Sequence, residues 1–411
     1  MSNLFQDLRF AIRNLRRSRG LVVAAVFSLA IGIGANTTIY SAIDALRSQE
    51  LPFVEPDQLV VVWQSTSRGR PPVGRLGSGE RPPSYQVAAE VAETAAAIEG
   101  IGFTVGGNTT VLSEPDESSR ILPAEGIDFG LLRMLGTAPV LGRVYSPGDR
   151  LDTVDLKESR PIVIGYRLWQ ERFGGSPDAL GATLRIGGYE RPVIGVMPEG
   201  FRVVPAGTRA TGEEPQVWLA TDLTRVPGSA FMMPILRVRA GTDLDELATE
   251  IEALGLSAAR SFGEDVEGFG MRVEGLQSVY FGDMEASFLF LLGAVSFVLL
   301  IACVNVANLL LARGKERRKE LTIRAALGAK RGRLVGQLLA ESLLLSCAGG
   351  AVGVLLAMGG NQLVSILAPA EFPPAVRSLA INPAALLFTA AVSILVSPCI
   401  GLLPGAAGIA R

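Results

Sequence analysis

Four stretches of this chain carry no charged residue: Gly20 to Ile43, Ala286 to Ala312, Ser342 to Ala370 and Ser378 to Ala410. A bilayer core of about 30 Å is crossed by roughly 20 helical residues at 1.5 Å each. Each stretch is long enough, and buried helices of soluble proteins seldom run so far without a charge. A cleaved signal peptide competes for the first stretch. Its apolar region would be too long, and no clear small-residue cleavage site follows.

Charge segregates along the chain. Net charge is −2, but residues 1–43 hold +4, residues 44–286 hold −13 and residues 287–411 hold +7. Orientation follows from Lys and Arg beside the membrane ends. Arg9, Arg13, Arg16, Arg17 and Arg19 precede the first stretch. Nine basic residues lie between Arg313 and Arg333, against Glu316 and Glu320. The link before the fourth stretch holds Arg377 and Glu371 alone. The N-terminus and the second link are therefore expected in the cytoplasm, the acidic region outside and the C-terminus inside. The partner this implies is lipid, not nucleic acid.

The expected fold is an α-helical integral membrane protein with four transmembrane helices. A large α+β extracytoplasmic domain sits between the first and second. The expected division is a cytoplasmic arm at 1–19, spans at 20–43, 287–312, 334–358 and 384–405, the outer domain at 44–286, an inner link at 313–333 and an outer loop at 359–383. In the arm, Leu4, Phe5, Leu8, Ile12 and Leu15 recur at helical spacing, which suits an amphipathic helix on the inner surface. A solvated basic tail is the alternative.

Small residues recur every fourth position in two spans: Ala24, Ser28 and Gly32 in the first, Gly349, Gly353 and Ala357 in the third. Such stripes let helix backbones approach closely. The first stripe is expected to mediate association with a second chain. Asn36, Asn305 and Asn308 should face protein or headgroups rather than lipid. Packing is the reading preferred over ion or substrate coordination.

In the outer region, Leu59–Trp63 reads as a strand and Ser65–Pro83 as a loop. Ser84 can cap a helix reaching about Ile98. "RPIVIG" reads as a strand before a short helix, "YRLWQERFGG". Gly187-Gly188 makes the turn of a hairpin. Met233–Ala240 reads as a strand, Thr242 opens a helix from about Asp243 to Arg260, and "MRVEGL" closes the region as a strand. Strands and helices mix without a long parallel series, hence α+β.

The chain has no histidine, which excludes zinc hydrolases and Ser-His-Asp hydrolases in their usual forms. Its three cysteines, Cys303, Cys347 and Cys399, lie in apolar runs and read as small buried hydrophobes. The many acidic residues read as a solvated surface, and no catalytic, cofactor or metal site is assigned. Gly314-Lys315 is followed by Glu316, so no phosphate loop forms there. ATP hydrolysis in the P-loop manner is excluded for this sequence.

Several segments resemble a known family. "FQDLRFAIRNLRRSRG" leading into "LAIGIGANTTIYSAIDAL" is similar to the start of MacB-like ABC transporter permeases. The pattern is nearest to one half of the acidobacterial duplicated orphan permeases. "AEGIDFGLLRMLGTAPVLGR", "RPIVIGYRLWQERFGG" and "GYERPVIGVMPEGF" look like the periplasmic core domain of that family. "ERRKELTIRAALGAKRGRLVGQLLAESLLL" looks like its FtsX-type permease segment. The resemblance covers nearly the whole chain in order.

It implies a bacterial inner-membrane permease subunit, not an enzyme, with ATP bound by a separate ABC ATPase subunit. It further implies a second permease half and, as a candidate, a periplasmic adaptor or outer-membrane partner. The duplicated permeases carry two such units in one chain, so this single unit is expected to pair with another half or to be a truncated product. Coupling to the ATPase is placed at Glu316, Arg317, Arg318, Lys319, Glu320, Leu321, Ile323, Arg324, Leu327 and Gly328. The apolar members are Leu321, Ile323 and Leu327, which a solvated tether does not need. An FtsX-like role in transmitting movement to periplasmic partners, without transport, is the alternative function.

Overall fold

A computed structural model of the chain describes residues 19–49, 51–65, 80–113, 118–150, 160–203, 214–316, 331–367, 376 and 379–409. The chain divides into two compact units, one formed by residues 50–282 and the other by 1–49 with 283–411. The basic arm and nearly all of the coupling segment, Arg317 to Lys330, fall outside the described residues.

Among the described residues, the unit from 50 to 282 is built on one sheet of eleven strands. They are β1 (Leu59–Ser65), β2 (Glu80–Arg81), β3 (Ile98–Ser113), β4 (Ser119–Asp128), β5 (Leu141–Gly142), β6 (Ile162–Ile164), β7 (Thr183–Ile186), β8 (Tyr189–Val196), β9 (Val217–Thr221), β10 (Met233–Val238) and β11 (Gly270–Gly275). The spatial order is β11-β1-β10-β3-β4-β9-β6-β8-β5, with β2 on β1 and β7 joining β3 and β8. Most pairs are antiparallel, but β4 runs parallel to β9 and β6 parallel to β8. β1 lies between β11 on one side and β10 and β2 on the other. Its sequence explains that place, since "LVVVW" carries three β-branched valines, is apolar on both faces and is buried throughout.

Two helices cover the β1 end of the sheet: α2 (Tyr85–Thr94) and α5 (Leu244–Ser261). Val87, Val91, Leu247 and Ile251 pack there with Val60, Val62, Leu236 and Val238. A second cluster forms where Leu168 of α4 (Tyr166–Phe173) meets Ile162, Ile164, Leu184, Val193 and Val217. Ser84 accepts from the Val87 N–H as the cap of α2, as its position suggests. The cap of α5 is Asp243 rather than Thr242. Its Oδ1 accepts from the Asp245 and Glu246 N–H groups. The hairpin turn at Gly187-Gly188 forms, with φ of 61° and 86° at the two glycines. Positive φ at both central residues matches the twist of the strands and favours glycine there.

The other unit contains α1 (Arg19–Ser48), most of α6 (Leu276–Glu316), α7 (Arg331–Leu367) and α8 (Pro383–Ile409). Three described stretches are long and apolar enough to cross a membrane: Arg19–Ser48, Met284–Ala312 and Leu339–Leu367. Within α8 the described apolar stretch is the shorter Pro383–Pro398. α7 continues through Gly359 and Gly360 to Leu367, so helix occupies the first part of the expected outer loop at 359–383. Two consecutive glycines lower helix propensity, but Gly360 packs on Thr38 of α1 and the turn is held from outside.

Candidate functional site

Lipid tails offer no hydrophobic drive between membrane helices, so close packing and polar cross-links must hold such a bundle. α1 supplies both. A Cβ added at Gly34 would stand 2.8 Å from the Gly353 carbonyl oxygen. One at Gly353 would stand 3.2 Å from both the Ala30 carbonyl and the Gly34 nitrogen. One at Gly349 would meet the Leu29 Cβ at 2.8 Å. Here α1 and α7 approach backbone to backbone, and only residues without a side chain fit.

The stripe Ala24, Ser28 and Gly32 is not one contact face. Ala24 is exposed and Ser28 half-buried. Gly32 is buried, and a Cβ on it would meet Leu299 of α6 within the same chain at 2.8 Å. The α1–α7 contact instead uses Ala30, Ile33 and Gly34, about 200° around the helix from Gly32 in the case of Gly34. Of the α7 positions named from sequence, Gly349 and Gly353 lie in that contact and Ala357 is buried. Gly350 lies on Ser393 of α8. The sequence reading missed Gly34, Gly350 and Gly360. The four-residue spacing of Gly32 drew attention away from Gly34 two positions on.

Polar cross-links join the same helices. Thr37 and Thr389 share a hydrogen bond of 2.9 Å between α1 and α8. The Ser296 hydroxyl of α6 donates to Asn36 Oδ1 at 2.8 Å, and Asn36 Nδ2 donates to the Gly32 carbonyl. Asn36 thus faces protein, as expected. At the end of α1, Arg47 Nε donates to Glu285 Oε1 at 2.8 Å. Asn382 donates to Asp44 while its own Oδ1 caps α8 by accepting from the Ala385 N–H. Asn305 and Asn308, by contrast, are exposed on α6.

The sheet unit has two polar centres of its own, the first partly exposed and the second fully buried. Arg272 of β11 grips both oxygens of Glu80, at 2.9 and 2.7 Å, and donates to Glu274 at 3.0 Å. Glu274 also accepts from Trp63 Nε1 and from Ser278, in the first turn of α6. The hydrogen bond to Glu80, outweighing partial burial, pushes the Arg272 guanidinium further up. The second centre is Glu125, fully buried, which accepts from Trp218 Nε1 at 3.0 Å and Thr104 at 3.1 Å. Nearby, the Arg143 side chain beside Asp149 pulls that carboxyl down to about 2. These carboxylates are all held by donors within the fold, the Thr104 and Ser278 hydroxyls among them. Among the described residues no group of His, Cys, Asp or Glu could hold a metal ion. The arrangement locks strands and helices of the sheet unit together.

Two family models match this chain. Residues 22–254 match the MacB-like periplasmic core domain, and residues 292–408 match the FtsX-like permease C-terminal region. The chain is a MacB-like, FtsX-type permease. The core-domain match begins inside α1 and ends inside α5, so it takes in the first apolar helix and ten of the eleven strands. The permease match takes in most of the remaining apolar helices.

Relatives of this permease include the macrolide export ATP-binding/permease protein MacB of Rhodospirillum rubrum. It is 26% identical over 379 residues, covering 90% of this chain and 54% of the relative. The protein of the same name from Sodalis glossinidius is 34% identical over 212 residues, 49% of this chain and 30% of that one. The permease thus spans about half the length of these relatives or less. Among solved structures, the periplasmic region of MacB from Actinobacillus actinomycetemcomitans has 12% identity and a TM-score of 0.38. It covers 56% of this chain and 92% of that one.

Proposed function

We propose that this chain is the membrane subunit of a MacB-like ABC transporter in a bacterial inner membrane. It crosses the membrane four times, with both termini inside and residues 44–286 outside. A separate ATPase docks on the segment 313–333, and ATP hydrolysis there moves the outer domain. The cargo is a hydrophobic or peptide-like substrate that is exported or extracted. A second permease half completes the assembly, and a periplasmic adaptor or outer-membrane channel is the further candidate partner.

One observation carries the reading: the core domain and the permease region occur together, in that order, in one chain. The relatives are named as exporters with ATP-binding parts, which favours transport over the signalling alternative. The coupling residues Glu316, Arg317, Arg318, Lys319, Glu320, Leu321, Ile323, Arg324, Leu327 and Gly328 enter on the sequence. A short helix with an apolar face and charged flanks fits a groove on a partner.

The test is copurification of an ABC ATPase with the full chain. Leu321→Asp combined with Ile323→Asp keeps every basic residue and should leave insertion intact while abolishing ATPase association. Arg317→Ala with Arg318→Ala should weaken association in a salt-dependent way. Unchanged ATPase per permease in the double Asp variant would reduce the segment to an orienting loop.

A further inference from the structure

The row of side chains on one face of β1 changes character at its end. Val60, Val62 and Gln64 share that face, since successive residues of a strand alternate. Val60 and Val62 pack with α2, α5 and Met271 of β11. Gln64 extends the row and is 0% exposed. Neither its Oε1 nor its Nε2 has a hydrogen-bond partner. A buried amide with both ends unmade is costly to a fold, and buried polar groups are almost always paired.

Arg81 of β2 stands directly opposite Gln64 in the β1–β2 register. Residues opposed in this way share a face, with Cβ atoms about 4.5–5.5 Å apart. The Arg81 guanidinium lies over the Phe231 ring, 4.2 Å from its centroid. Its Nε is buried and has no hydrogen-bond partner. Arg81 as a whole is half-buried and Phe231 is 40% exposed, so the group opens to solvent at Phe231 and runs inward to Gln64. Among the described residues no carboxylate pairs with Arg81. The two nearest candidates are engaged elsewhere. Glu80, beside it in β2, is gripped by Arg272 on the opposite face of the sheet. Glu264 accepts from Ser84, which bridges to Phe231, and from Gln86. What is left is a cation without a counter-charge, next to polar atoms without partners.

We propose that Gln64, Arg81 and Phe231 form a binding site for the carboxyl terminus of a peptide. The unpaired atoms select that ligand. Arg81 Nε and Gln64 Nε2 are donors and the guanidinium is a cation, so together they call for an oxyanion. Gln64 Oε1 is an acceptor, which a bare oxyanion leaves unsatisfied. The last residue of a peptide carries a carboxylate and, on the same α-carbon, an amide N–H, and so serves all of them. Phe231 offers apolar area to its side chain. A buried water satisfies the Gln64 amide equally well, but it leaves the Arg81 charge unmatched. The inference narrows the peptide-like cargo of the proposed function and rests on that reading for its purpose, whereas binding itself can be measured without transport.

Calorimetric titration of the full chain in detergent tests this, with N-acetyl-alanyl-leucine as the probe. Its C-terminal carboxamide and acetate are the comparisons. The acid should bind roughly tenfold tighter than either. Arg81→Ala should abolish binding, and Arg81→Lys should lose most of it, because a point charge does not replace the planar fork. Gln64→Leu should raise the melting temperature of the empty chain while weakening the acid about tenfold. A glutamine that only fills the core, or only holds a water, gives the rise without the weakening, and that result overturns the proposal. Arg185→Ala removes the same charge from an exposed position on β7 and should change nothing. Equal affinity for acid and carboxamide, or for acid and acetate, would also overturn the site, as would no binding of the acid or unchanged binding in Arg81→Ala. Acid binding without a copurifying ATPase keeps the site and defeats the transport reading. A copurifying ATPase without acid binding defeats the site alone.

Discussion

Asp128 shows how one side chain holds three parts of the sheet unit together. It ends β4, and its Oδ1 accepts from the Leu131 N–H at 3.0 Å and the Gly130 N–H at 2.5 Å, which begin the short helix α3 (Leu131–Leu135). Its Oδ2 accepts from the Phe103 N–H of β3. Burial raises this carboxyl above the usual range, and the three backbone donors oppose that rise. Asp128→Ala would leave buried N–H groups without an acceptor. We expect a loss of about 2–4 kcal/mol of stability, seen as a lower melting temperature of the sheet unit in the full chain. Asp128→Asn, which keeps one acceptor, should lose less. Local features like this are where the sequence speaks most clearly. The Ser84 cap and the Gly187-Gly188 turn depend on residues within three or four positions and were legible. Asp128 was not, because the Phe103 donor lies 25 residues upstream.

Among elements, the close approach of α1 and α7 sets the tolerance for change. Gly34→Val would drive a side chain into the Gly353 backbone, and neither helix can yield without losing its other contacts. Overpacking of this kind costs about 1–3 kcal/mol. We expect a lower melting temperature in detergent and unchanged behaviour for Gly20→Val, since a Cβ at Gly20 has nothing within 4 Å. The apolar stretches themselves were plain from the absence of charge. Which glycine faces which helix was not, because Gly32 and Gly34 differ only in the rotation of α1 against neighbours far away in sequence. The same limit hid the single sheet. β1 and β11 were readable as strands from composition, but their pairing joins Val61 to Glu274. No spacing rule reaches so far. The long β3 was missed for a related reason: Gly100, Gly102, Gly106 and Gly107 weaken its strand signature. Gly102 is needed because Leu131 packs directly over it, at 2.6 Å from where a Cβ would stand.

At the scale of the molecule, the charge asymmetry makes a direct forecast. Ser118→Cys and Ser257→Cys, each in a background lacking the native cysteines, replace exposed residues of the sheet unit. Both should react with an impermeant thiol reagent that has been admitted to the periplasm of intact cells. Labelling only after lysis would reverse the orientation.

The position of β1 in its sheet carries a cost in time. Both of its long neighbours, β10 and β11, come from the far end of the unit, so "LVVVW" leaves the ribosome about 170 residues ahead of its first partner. At bacterial synthesis rates of roughly 5–20 residues per second, that is a wait on the order of ten to thirty seconds. Throughout it, a bare apolar strand edge is open to pairing with any other chain. In the proposed orientation, the interval falls while the first span is already anchored and the rest of the unit is still being threaded outward. If the sheet unit faces outward as proposed, biogenesis of this permease is then most exposed not at its membrane helices but at this strand, where a holding chaperone would find its target.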